Sequence, residues 1–244
     1  MCTVSWFLSS DRFELFSNRD EQRGRGREQG PRIHARGETR FLAPLDSEAG
    51  GSWVTANEHG VALCLLNLYQ AQGSIDPVES RSRGLLVLEL ADCEGLGELS
   101  RRLSARQLGV YQPFSLLGLE PGRPAQLIEW NGRDCRTLES TCAPLVSSSV
   151  DLGGARRTRE ELYAAVEGAV DQRAAHLAFH ASHAQGPGPR SVCMHRDDAE
   201  TRSLIHVVVE AGEVTMRHGA GSPCRTPLGD PLRLLRRAPL STGL

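Results

Sequence analysis

A cysteine follows the initiator methionine of this 244-residue chain, and Cys2 is the residue whose type and place offer the sharpest chemistry. Methionine aminopeptidase removes an initiator methionine when the next residue is small. Removal would leave Cys2 with a thiol nucleophile and a free α-amine on one residue. Such an amine titrates at about pH 8 in model peptides, near where a general base for a thiol should lie. The threonine version of this pairing is an activated nucleophile of the same kind. The alternative is a small second residue with no role.

Other groups carry chemistry by spacing. Asn18-Arg19-Asp20-Glu21 closes the second strand of an expected hairpin. Either Asn18 and Asp20 hold a tight turn while Arg19 and Glu21 pair across it, or these polar groups serve the thiol, since charge buried near a thiol is costly. Asn67 ends an apolar strand, where it either caps the strand or donates to a substrate oxygen. His176, His180 and His183 share one helical face, and Cys193-Met194-His195 follows. Zinc or haem iron could be held by such a set, but the loose spacing reads as a solvated or capping cluster, and no metal is expected. His195 and Arg196 suit an anion or equally a polar turn at the end of a strand, and the arginine-rich stretch from Arg23 to Arg40 suits a carboxylate or phosphate but reads by default as a solvated loop. In that stretch the glycine after Gly24-Arg25-Gly26 is Gly30, which does not complete a dinucleotide fingerprint.

Composition narrows the class. All 28 basic residues are arginine, so Schiff-base, Walker-A and kinase-type lysine chemistry is excluded. The net charge of −2 gives no global attraction for nucleic acid or anionic membrane. Seven cysteines, an odd number with no CxxC pair, argue against a disulfide framework. With no secretory leader and no bilayer-length apolar stretch, a cytoplasmic protein is expected.

The elements that would position these groups follow from periodicity. Thr3 to Leu8 and Arg12 to Ser17 read as a hairpin, and Gln22 to Arg40 as a long surface loop. Ser52 to Ala56 and Val61 to Leu66 form a second hairpin, and Gln126 to Leu138, turning at Asn131-Gly132, a third. Leu85 to Leu90 and Leu96 to Leu103 read as two helices, and Ala155 to Ala184 as one long one. Ser191 to Met194, Leu204 to Val209 and Val214 to Arg217 read as strands. Leu232, Leu234 and Leu235, between arginines, suit docking on a partner or on the domain itself. These runs describe one α+β layered domain over residues 1–244, with 220–244 as a C-terminal extension.

The combination of Cys2, the hairpin and Asn18-Arg19-Asp20-Glu21 resembles the NRDE family, also called the transport and Golgi organisation family, which is named for that string. Gly50-Gly51-Ser52-Trp53 with Asn57 to Asn67 is similar to its second block. Tyr111 to Leu117, Pro144 to Ser149 and Ser191 to Asp198 are similar to later ones. The family resembles the cysteine branch of the N-terminal nucleophile hydrolases, which includes bile salt hydrolase and penicillin V acylase. That resemblance implies a four-layer αββα sandwich and attack by the Cys2 thiolate on a linear amide. It implies Asn18, Arg19 and Asp20 beside the nucleophile, and Asn67 as a first oxyanion donor. A second donor falls around Ser147 to Ser149, taken as Ser148, and a late arginine falls at Arg202. Trp53, His195 and Arg196 are the candidate substrate contacts. The branch places an arginine where this chain has Ser17, and a serine hydroxyl is a differently shaped donor from an amide. The expected function is therefore a hydrolase or acyltransferase acting on a non-peptide amide or thioester, without cofactor. The alternative is a non-catalytic haem or acyl-CoA carrier on the same fold. A small molecule is the expected partner, and a homodimer is suggested by analogy with the fold.

Overall fold

The computed structural model describes residues 2–71, 80–183 and 186–237. In chain order these form β1 (Cys2–Leu8), β2 (Phe13–Gln22), β3 (Gln29–Arg36), β4 (Thr39–Leu45), β5 (Val54–Asn57) and β6 (Ala62–Asn67). Next come α1 (Arg83–Leu90), α2 (Leu96–Ser104), β7 (Phe114–Leu119), β8 (Gln126–Trp130), β9 (Cys135–Leu138) and β10 (Leu145–Ser147). The remainder is α3 (Leu152–Glu167), α4 (Gln172–His180), β11 (Ala199–Val209), β12 (Glu213–Gly219) and β13 (Leu232–Leu235).

Two antiparallel sheets result. One has the order β10-β1-β2-β11-β12-β13 and the other the order β3-β4-β5-β6-β7-β8-β9. Strand alternation sends Val4, Trp6, Phe13 and Leu15 of the first sheet inward, where they meet Val54, Cys64, Leu66 and Leu117 of the second. On the outer face of the second sheet, Leu86, Leu90, Leu99 and Leu103 of α1 and α2 cover Leu63, Leu65 and Leu116. Helices α3 and α4 cover the outer face of the first, with Tyr163, Val166 and Phe179 packed on Val192. Four layers in the order αββα follow, as the family resemblance implies.

The centre of the first sheet is sealed on both faces. Phe13 through Asp20 of β2 are all buried, although five of these eight are polar. Buried polar groups persist only when they are hydrogen-bonded. Among the helix-facing members, Glu14 accepts from Arg173 Nε at 2.8 Å and lies 2.8 Å from His206 Nε2, and the Asn18 amide nitrogen donates to His180 O and Val192 O.

Several expected elements are corrected. The stretch from Gln22 to Arg40 is no surface loop, because β3 and β4 occupy most of it. β3 is the edge strand of its sheet and mostly exposed, so its sequence needs no apolar alternation. The long helix breaks into α3 and α4. Gly168 ends the first, Gln172 Nε2 donates to Val166 O and Ala169 O, and Asp171 starts the second by accepting from Ala174 N–H. Ser191 to Met194 forms no strand. The leucines of the tail dock on the domain itself: β13 pairs with β12 and buries Leu234, leaving Leu235 exposed. The last residues of that extension, 238–244, lie outside the described ones.

Candidate active site

The β1–β2 register sets Cys2 opposite Arg19, and Ser147 of β10 lies on its other side. The Cys2 N–H donates to Ser147 Oγ at 2.9 Å. Burial pushes the Cys2 thiol up and the nearby Asp20 charge adds to this, while the Asp20 backbone N–H at the sulfur and the Arg19 charge oppose it. The nucleophile candidate is thus a desolvated thiol that needs a base to ionise.

Cys2 lines a cleft of about 270 Å³, together with Arg19, Asp20, Trp53, Asn67 and Arg83. Arg19 is nearly buried over the Trp53 ring, 4.8 Å from its centroid, and donates to Asp46 Oδ2 at 2.6 Å. Burial raises Asp46, but hydrogen bonds from Arg25 and the Ala49 N–H, with the charges of Arg25 and Arg19, hold it at about 2. Glu21 at 3.2 Å and Glu28 at 3.4 Å pair with the same group, so this network fixes the guanidinium at the cleft wall with carboxylates around it. Gly51 explains the glycine pair before Trp53: a Cβ there would lie 2.5 Å from the backbone carbon of Gly84, at the start of α1. Ser52 N–H donates to Gly84 O in the same close approach, which brings Arg83 to the cleft rim.

Asp20 presents its backbone to Cys2 and its carboxylate to the layer beneath. Thr201 Oγ1 donates to it at 2.5 Å, and Arg159 Nη2 lies 4.0 Å away with both side chains fully buried. Arg159 also donates to Thr3 Oγ1 at 2.6 Å and Ser191 O at 2.8 Å. Burial raises the Asp20 carboxyl against the opposing Arg159 charge and Thr201 hydrogen bond.

The structure therefore brings Cys2, Arg19, Asp20, Trp53 and Asn67 together. Asn67 is half-buried at the end of β6 and donates to the Tyr69 hydroxyl at 2.8 Å. Other expected residues stand elsewhere. Asn18 lies on the opposite face of β2 from Arg19, tying that strand to α4. The Ser148 hydroxyl accepts from the Val150 and Asp151 N–H groups and so shapes the turn into α3, whereas Ser147, one residue earlier, meets Cys2. His195 sits 3.5 Å from the Cys193 sulfur and Arg196 pairs with Asp198, and neither lines this cleft. Arg202 donates to Arg23 O near the surface, while the arginine buried under Asp20 is Arg159. In the run Arg156-Arg157-Thr158-Arg159 no local signal singles out the last one.

Of the three histidines expected on one helical face, His183 lies beyond the end of α4, and the other two are not solvated. His176 and His180 are fully buried, and Ser5 Oγ lies 2.7 Å from His176 Nδ1 and 2.8 Å from His180 Nε2. Phe16 stacks between His176 and His206 with centroids 4.7 and 4.4 Å away. Burial lowers His176 to about 4 and His180 well below its ordinary value, so both stay neutral at pH 7.

Three solved structures share this architecture. Penicillin V acylase from Agrobacterium tumefaciens superposes with a TM-score of 0.52 and 11% identity, over 88% of this chain and 82% of that one. Two variants of conjugated bile acid hydrolase from Clostridium perfringens superpose with TM-scores of 0.53 and 0.54 at 10% identity. They cover 96% and 99% of this chain, and 92% and 99% of their own. The two face-to-face sheets and the flanking helices define the N-terminal nucleophile hydrolase fold. Within that class the chain belongs to the Transport and Golgi organisation 2 family, whose model matches residues 1–184. A sequence search of curated proteins finds no match. Among the described residues, no helix is long and apolar enough to cross a membrane.

Proposed function

We propose that this protein is an amidohydrolase or acyltransferase of the N-terminal nucleophile type, with Cys2 as nucleophile once Met1 is removed. The observation that carries this reading is the placement of the Cys2 thiol in a cleft against the Asp20 N–H and the fixed Arg19 guanidinium. In the reaction, the freed α-amine of Cys2 takes the thiol proton as sulfur bonds to the substrate carbonyl carbon. Collapse of the tetrahedral species breaks the carbon–nitrogen bond, and the amine leaves with that proton. Water, deprotonated by the same amine, then cleaves the thioester, giving the acid and restoring the thiol. Donors on the cleft lining for the developing oxyanion are the Asn67 amide and the Arg19 guanidinium, and each such donor is worth about 3 kcal/mol. Arg83 donates to Pro113 O at 2.8 Å and lines the cleft, a cation suited to a substrate that bears an acidic group.

The carrier reading is the alternative, and Cys2 and Tyr69 of the cleft are residue types that hold haem iron. Seven cysteines, an odd number with no CxxC pair, support a reducing compartment such as the cytoplasm. Intact mass before and after brief exposure to p-nitrophenyl acetate tests the proposal. A mass lacking Met1 is expected, with an acetyl adduct mapped to Cys2, lost in Cys2→Ala and shed again by hydrolysis. Retained Met1, or acylation spread over other residues with Cys2 silent, would overturn it. Haem or acyl-CoA binding that survives Cys2→Ser without any acyl adduct would favour the carrier.

A further inference from the structure

Behind the Asp20 layer, four side chains that the proposed reaction does not use converge from three separate segments. His183 follows α4, Cys193 and His195 flank Met194, and Cys224 lies in the turn after β12. One ligand atom from each lies within 4.8 Å of all the others. His195 Nε2 is 3.5 Å from Cys193 Sγ and 3.4 Å from Cys224 Sγ. Zinc bonds of about 2.3 Å to sulfur and 2.0–2.1 Å to nitrogen, arranged tetrahedrally, place sulfur and nitrogen about 3.5 Å apart. The two observed separations are therefore edges of such a tetrahedron.

Hydrogen bonding alone accounts poorly for this set. An imidazole Nε2 either donates one proton or offers one lone pair, yet two sulfurs converge on the same His195 nitrogen. His183 Nε2 is buried and without a hydrogen-bond partner among the described residues, a costly state for a polar atom. A central cation would satisfy these contacts at once, and two thiolates would neutralise its double charge where Cys193 is fully buried.

We propose that His183, Cys193, His195 and Cys224 form a structural zinc site. Four protein ligands close the coordination sphere and leave no open position for substrate or water. The site's task follows from what it pins. Cys193 N–H donates to Ser182 O. Met194 exchanges backbone and hydroxyl hydrogen bonds with Thr201, and Thr201 donates to Asp20. The cation would lock the segment that holds the Asp20 carboxylate from behind. Three of its ligands lie beyond residues 1–184, the part matched by the family model, so the site rests on this chain's own C-terminal third.

Metal analysis of anaerobically purified full-length protein, grown with added zinc, tests this. About one zinc per chain is expected. In the Cys193→Ser/Cys224→Ser double variant the content should fall below about one tenth of that. Because this variant could misfold, metal-free wild-type chain is also titrated with cobalt(II). A sulfur-to-cobalt charge-transfer band and the visible bands of tetrahedral cobalt are expected at one equivalent, with zinc displacing them. Wild-type protein that holds no zinc and gives no thiolate-to-cobalt band overturns the proposal. So does zinc content unchanged in the double variant, or a Cys193–Cys224 disulfide, lighter by two hydrogens, in the anaerobic protein.

Discussion

The ion pair beneath the candidate nucleophile permits a quantitative test. Arg159 and Asp20 are fully buried and 4.0 Å apart, and at an effective dielectric constant of about 20 their attraction is about 4 kcal/mol. Arg159→Met roughly preserves volume but strands a buried carboxylate, so it should cost about 3–5 kcal/mol of unfolding free energy. Asp20→Asn strands the guanidinium instead and should cost a similar amount. The double variant removes both charges. The hydrogen bonds from Arg159 to Thr3 Oγ1 and Ser191 O are lost in the single and double variants alike, so they cancel from the coupling term. Urea unfolding of the four proteins at pH 7 should therefore give a double-variant loss smaller than the sum of the singles by about 2–4 kcal/mol. Additivity within about 0.5 kcal/mol would refute the argument that Arg159 is the counter-charge of Asp20. Acylation of Cys2, followed in the same four proteins, shows whether that carboxylate also serves the thiol.

Further outcomes follow from the same geometry. His176 titrates at about 4 in the fold, below its ordinary value of 6.5, so its contribution is complete above pH 6.5 and is lost as pH falls toward 4. Between pH 7 and pH 5 this withdraws about 2 kcal/mol, visible as a falling urea midpoint, and a flat profile across that window would contradict neutral burial. Gly51→Ala should cost about 2 kcal/mol and slow Cys2 acylation, because its Cβ would meet the Gly84 backbone, and an unchanged melting temperature would count against that close approach. Asn18→Ala should lower stability by about 2 kcal/mol through the two carbonyls it abandons, His180 O and Val192 O, yet leave the Cys2 acylation rate within about threefold. A hundredfold loss of that rate with stability intact would return Asn18 to the cleft.

The sequence by itself determined the parts of this protein that depend on neighbours along the chain. Period-two alternation in Thr3 to Leu8, and turn chemistry at Asn131-Gly132, with Gly132 at φ 91°, specify hairpins wherever they occur. Because β1 and β2 form such a hairpin, the facing of Cys2 and Arg19 was nearly written into their spacing. The tertiary structure alone decided which residue of a similar local run reached the site. Ser147 rather than Ser148 meets Cys2 because a one-residue shift in strand register reverses which face a side chain occupies. Arg159 rather than its neighbours is buried because α3 turns that one side chain toward Thr3 and Asp20, a contact between distant segments. His183, Cys193, His195 and Cys224 lie on three segments whose convergence no spacing rule encodes, since packing and not periodicity closes the distance between them.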